Sequence, residues 1–181
     1  MSKFSRIILI AIFLFIALFS SGCGSDQDIV EEEAIYRYIL RDIPGTKPVI
    51  LIRDHAYVRL SQDTTLRNDA PSGVDEETRE DFIAKNEASH SMRTNMNLGN
   101  EYVLVSENEM DVIRDQDVFN KKYPSSSFTF SFSRVGFNKE YTQALIYYEF
   151  WSPIGEAGGY CVFEKKHEAW TLHKCPSFWK T

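Results

Sequence analysis

Hydrophobic and polar positions change their rhythm twice along this chain. From Ile7 to Phe19 thirteen apolar residues follow one another without a break. Past Cys23, short helical and strand-like periods alternate with polar stretches. Asp28 and Glu31 have the spacing of a capping box and predict a helix with Val30, Ala34, Ile35, Tyr38 and Ile39 on one stripe, stopped by Pro44-Gly45. Val49–Ile52 and Tyr57–Leu60 read as strands, with Arg53-Asp54-His55 between or continuing them, and Gln62–Val74 as a polar loop. An Asp75 cap predicts a helix over Glu76–Lys85 showing the core only Phe82 and Ile83. Asn86–Asn100 has no period and reads as irregular. A strand at Tyr102–Val105 follows, then a second capping box at Ser106 and Glu109 with Met110 and Ile113 inward. Val118, Phe119 and Tyr123 continue the helical face toward Pro124.

The last third is β-patterned. Phe128, Phe130 and Phe132 alternate with Ser127, Thr129, Ser131 and Ser133, a half-buried strand with one aromatic face. A turn is expected over Gly136–Tyr141, and Gln143–Trp151, apolar on both faces, reads as a central strand. Pro153–Gly159 connects it to Tyr160–Lys165 and Ala169–Lys174, closing a meander that ends at Phe178-Trp179. Helices early and strands late predict an α+β fold, N-terminal helices packed on a C-terminal antiparallel β-meander.

The first apolar run has a different meaning. As a helix it reaches about 20 Å, short of a membrane core about 30 Å thick. Lys3 and Arg6 precede it, and Ser20-Ser21-Gly22 lead to Cys23, which is the secretory pattern. Ending at a cysteine, it resembles bacterial lipoprotein signals, in which the thiol takes a diacylglycerol, the preceding peptide is removed and the new amine is acylated. Ser20 departs from that pattern, which carries an aliphatic residue three positions before the cysteine. A plain signal peptide or an N-terminal membrane anchor are the alternatives. The expected organisation is a signal peptide at 1–22, a lipidated tether at 23–28 and a single domain at 29–181. Multiple acylation of Cys23 would make a lasting anchor. Gly24, where an Asp would favour retention in the inner membrane, points to the outer membrane if the bacterium has two, with the domain in the periplasm or at the cell surface.

Charge and cysteines narrow the picture further. Removing residues 1–22 takes away Lys3 and Arg6 and no acid, moving the formal charge from −6 to −8. An acidic chain without a clustered basic surface is a poor nucleic-acid partner. Cys161 and Cys175 remain, in an oxidising compartment, and suggest a disulfide. A regular hairpin turning at His167-Glu168 sets them on opposite faces, so either a bulge restores the parity or two thiols are buried separately.

The run Ser133-Arg134-Val135-Gly136-Phe137-Asn138, then Thr142-Gln143-Ala144-Leu145-Ile146-Tyr147-Tyr148, and later Gly158-Gly159-Tyr160 with Glu164-Lys165-Lys166 before Trp170, forms a distinctive set. It resembles a group of functionally uncharacterised bacterial lipoproteins and secreted domains over roughly residues 101–175. The resemblance implies an envelope setting and brings no catalytic residue with it.

Direct signs of chemistry are sparse. The histidines at 55, 90, 167 and 173 lack metalloprotease spacing, and His173 with Cys175 and Cys161 lacks a Cys-x-x-Cys partner, so no metal or cofactor is assigned. Asp115 and Asp117 alternate as in a calcium loop but lack the glycine and closing glutamate. No Gly-x-Ser-x-Gly elbow and no phosphate loop occurs. The acids at Glu31–Glu33, Glu76–Asp81 and Glu107–Asp111 stand at expected helix N-termini, where the dipole accounts for them. Arg134, Phe137 and Trp151 are the candidate binding residues: Arg134 and the Phe137-Asn138 turn as exposed groups, Trp151 with Tyr147, Tyr160 and Trp179 as an aromatic patch. The expected function is a non-enzymatic, lipid-anchored envelope protein that binds an envelope partner or supports an assembly. An inhibitor or immunity protein against a secreted hydrolase, and a cryptic hydrolase, are the alternatives.

Overall fold

The computed structural model describes residues 26–41, 50–56, 72–99 and 101–180, without the side chains of 56 and 176–179. The signal, Cys23, the Pro44-Gly45 stop and the strand expected at Tyr57–Leu60 lie outside the described residues. Two compact units divide the chain at Glu31/Glu32. Of the first, the described part is the opening of helix α1 (Asp26–Leu40), in which Val30 stays exposed. Everything below concerns the second. Among the described residues no helix is long and apolar enough to cross a membrane.

The fold is α+β. Four described helices, α1, α2 (Glu76–Lys85), α3 (Glu107–Ile113) and α4 (Gln116–Lys122), accompany a seven-stranded mixed sheet. Its path runs β4 (Tyr102–Val105), β1 (Ile50–Arg53), β5 (Thr129–Phe132), β7 (Gln143–Ser152), β8 (Gly155–Lys166), β9 (Ala169–Lys180), with β6 (Gly136–Phe137) also on β7. Separately, β2 (His55–Ala56) pairs antiparallel with β3 (His90–Ser91). The late strands form the expected antiparallel succession. The sheet is wider than that meander, because β1 lies parallel to both β4 and β5. The unbroken Ile50-Leu51-Ile52 run is what a parallel strand covered on both faces requires, and all three residues are buried.

Alternation then sorts the side chains to two faces. On one, Ile35, Tyr36 and Leu40 of α1 pack with Ile50, Ile52, Phe130, Phe132, Ala144, Ile146, Cys161 and Phe163. On the other, α2 lays Phe82 over Leu145, Tyr160 and Val162, while α3 and α4 lay Met110, Ile113 and Phe119 over Leu51 and Val105. Helix starts follow the side-chain chemistry. Ser106 Oγ accepts from the Glu109 N–H at 3.3 Å. Asp115 Oδ1 accepts from the amides of Asp117 and Val118 at 2.9 and 3.1 Å, so this acid caps α4.

The β8–β9 hairpin turns at His167-Glu168, with Lys166 opposite Ala169. Both turn residues have positive φ, 49° and 65°, the geometry of a two-residue turn in which Asn-Gly is usual. Farther down, β9 carries one extra residue between the pairs Tyr160–Ser177 and Val162–Lys174, and another before Phe163–Leu172. The slip nearer the turn, between Phe163 and Val162, reverses the parity of a regular ladder. It puts Cys161 and Cys175 side by side, Cα atoms 4.1 Å apart, joined as a disulfide.

Candidate functional site

Two polar constellations stand out, one closed and one open. The closed one occupies the break between β5 and β6. There the chain leaves the regular ladder for three residues, and side chains take over the missing backbone bonds. Ser133 N–H still donates to Tyr147 O at 2.9 Å. Its carbonyl has turned away to accept from Tyr36 OH at 2.9 Å, and its hydroxyl replaces that carbonyl by accepting from Tyr147 N–H at 2.9 Å. Asn86, just past α2, receives the Arg134 N–H at 2.9 Å and donates to the Arg134 carbonyl at 3.0 Å. Glu32 Oε1 receives the Val135 N–H at 3.1 Å, Lys85 donates to the Val135 carbonyl at 3.3 Å, and Asp81 receives the Phe137 N–H at 2.8 Å.

Charge is compensated within the same group. Arg134 Nε donates to Glu32 Oε1 at 2.6 Å, and the Glu32 side chain is only 3% exposed. Arg93 stands 3.7 Å from both Glu32 and Glu33. Burial, and then the Glu32 carboxylate, push the Tyr36 phenol well above its ordinary range. Gly136 has a packing reason: a Cβ there would lie 2.5 Å from the backbone N and Cα of Phe82, so α2 can approach only a glycine. Asn138 closes the following turn, its Oδ1 accepting from the amides of Thr142 and Gln143 at 2.8 and 3.1 Å. Gln143 reaches back, its Oε1 accepting from Asp75 N–H at 2.6 Å and its Nε2 donating to Gly73 O at 3.1 Å. The Ser133–Asn138 motif is therefore a structural joint.

This corrects the expectation for two candidate binding residues. Arg134 is engaged by Glu32, and Phe137 is 4% exposed, packed between Tyr141 and Trp170 with ring centroids 5.2 and 5.7 Å away. Phe137 is buried in the joint, and Arg134 is half-buried, its side chain 27% exposed with Nε committed to Glu32. Asn138 is buried as well. Trp151 is half-buried and meets Phe119 edge-on at 5.8 Å. Tyr160 is 5% exposed beneath α2, and the Trp179 side chain lies outside the described residues, so the described aromatics belong mainly to packing.

The open constellation sits at β2 and β3. His55 and Ser91 face each other across this short ladder. Asp54 Oδ1 lies 3.2 Å from His55 Nδ1, and Ser91 Oγ lies 3.0 Å from His55 Nε2. A carboxylate, an imidazole and a hydroxyl thus stand in line. Backbone bonds hold the line in place: Asp54 N–H donates to Val105 O at 2.9 Å, and Met92 N–H donates to Asp54 O at 2.8 Å. The His55 side chain is 54% exposed and Ser91 is exposed. His90, next along β3, has its Nε2 buried without a hydrogen-bond partner among the described residues. Burial, and then the nearby charge of Arg134, pushes His90 down to about 4. Sequence reading passed over this group. Asp54-His55 reads as lying between two strands or continuing them and Ser91 as part of an irregular stretch, and His55 and Ser91 meet only by pairing 36 residues apart.

The remaining candidates fall as follows. Acids in the stretches expected to open helices have partners: Glu76 pairs with Arg79, Glu77 with Lys139, Asp81 in mid-helix with Lys85, and Glu109 with Lys122 while accepting from Tyr123 OH. Burial and the bond to Glu109 push the Tyr123 phenol up to about 12. Among the described residues no group of three His, Cys, Asp or Glu is arranged to hold a metal. A shallow depression of about 410 Å³ lies beside β4, lined by Thr94, Glu101, Tyr102 and Leu104. Comparison with family models, with curated proteins and with solved structures finds no match.

Proposed function

We propose that this chain is a lipid-anchored bacterial envelope protein whose α+β domain binds an envelope partner or supports an assembly there. One observation carries the reading: Lys3 and Arg6, the thirteen-residue apolar run and the small residues ending at Cys23. The mature charge of −8, from −6 less Lys3 and Arg6, favours a partner with a basic surface over nucleic acid. The burial of Phe137 and the pairing of Arg134 with Glu32 favour a partner surface elsewhere on the domain. Fractionation tests the anchor. The wild-type protein is expected in the membrane fraction and Cys23→Ala in the soluble fraction; identical partitioning contradicts the proposal.

A second reading, hydrolysis, is favoured by one specific observation, the alignment of Asp54, His55 and Ser91. It is separable from the first, because anchoring through Cys23 is compatible with either activity.

A further inference from the structure

We propose that Ser91 is an acylatable nucleophile and that Asp54, His55 and Ser91 together hydrolyse carboxylic esters; this rests on the hydrolytic reading above. Atom order is the first support. Asp54 Oδ1 lies 3.2 Å from His55 Nδ1, a placement that favours the tautomer protonated at Nδ1 and leaves the Nε2 lone pair for the Ser91 hydroxyl at 3.0 Å. Rigidity is the second. His55 and Ser91 are a directly opposed cross-strand pair, and both the amide and the carbonyl of Asp54 are bonded to neighbouring segments, so paired backbone presents all three groups.

Access is the third support. Ser91 and His55 are open to solvent, and the depression at β4 includes Thr94, three residues beyond Ser91 and so within about 11 Å of backbone. The Tyr102 ring and Leu104 side chain there suit the apolar part of an acyl or alkyl group. His90, neutral above about pH 4, adds no positive charge beside His55 at neutral pH.

The reaction balances with water as the sole co-reactant. Ser91 Oγ bonds to the ester carbonyl carbon while its proton passes to His55 Nε2. The carbon–oxygen bond to the alcohol then breaks, and His55 returns the proton to the leaving alkoxide. Acyl-Ser91 and free alcohol result. A water molecule repeats the cycle, giving up its proton to His55 as it attacks, and Ser91 Oγ leaves with that proton as the carboxylic acid departs. Asp54 acts as a positioning residue through the imidazole.

The test uses the full processed protein in detergent, with an alkyl fluorophosphonate, which phosphonylates an activated serine and releases fluoride, and with p-nitrophenyl butyrate. The expected result is a covalent adduct on the Ser91 peptide by mass spectrometry. Ester turnover should fall at least about 100-fold in Ser91→Ala and His55→Gln, and Asp54→Asn should lower kcat with KM unchanged. Circular dichroism checks that the variants fold. Turnover that persists in Ser91→Ala overturns the assignment of Ser91 and leaves the hydrolytic reading standing. Absence of both adduct and turnover in the wild type overturns both.

Discussion

Arg134 illustrates how a side chain can look like a binding residue in sequence and act as a structural part. Its guanidinium compensates a carboxylate that is 3% exposed, and its backbone is bonded on both sides by Asn86. Removing Arg134 takes away the nearest cation and leaves the Glu32 carboxylate only Arg93, 3.7 Å away, a loss of about 1–3 kcal/mol. Arg134→Ala should therefore lower the urea midpoint of the domain substantially, and Glu32→Gln should do the same. A surface binding residue would leave both midpoints unchanged. His90 gives a second prediction at this scale. Its folded pKa of about 4 lies below the ordinary 6.5. The unfolded chain thus binds the proton more readily. Stability from this group is complete above about pH 6.5 and is lost as pH falls toward 4, by about 2 kcal/mol after allowance for its partial exposure. Between pH 7 and pH 4.5 the wild type should lose more stability than His90→Gln, measured by urea unfolding; equal losses would contradict this.

Among the elements, the joint between β5 and β6 depends on the approach of α2. Gly136→Ala forces a methyl group into the Phe82 backbone, and overpacking of this kind costs typically 1–3 kcal/mol. Thermal melting should show a drop of several degrees, whereas Gly→Ala at an unconstrained position with negative φ should stabilise slightly. Local elements were legible in the sequence: the Glu76–Lys85 helix, the Ser106 cap and the Phe128–Phe132 face follow from periods and caps within a few residues. What escaped was set by long-range pairing. Parallel β1 and β4 leave no local mark of their neighbours. The Glu32–Arg134 bond spans 102 residues. The objection to the disulfide assumed a regular ladder, and the slip between Phe163 and Val162 that removes it has no sequence signature of its own.

For the whole molecule, the distinctive motif and the place of action separate. The Ser133–Asn138 joint, with Gln143 and Asn86, accounts for the residues most suggestive of a family by what they do inside the fold. The proposed function rests instead on the N-terminal segment, read as an address, and on the surface of the domain, where Asp54, His55 and Ser91 form an exposed line among the described residues. The address is the central claim. It is tested most directly by growing cells with an alkyne-bearing fatty acid and reading label on the protein after gel separation. The wild type should be labelled and Cys23→Ala should carry none, whereas equal labelling of the two, or an unlabelled wild type, would contradict the account.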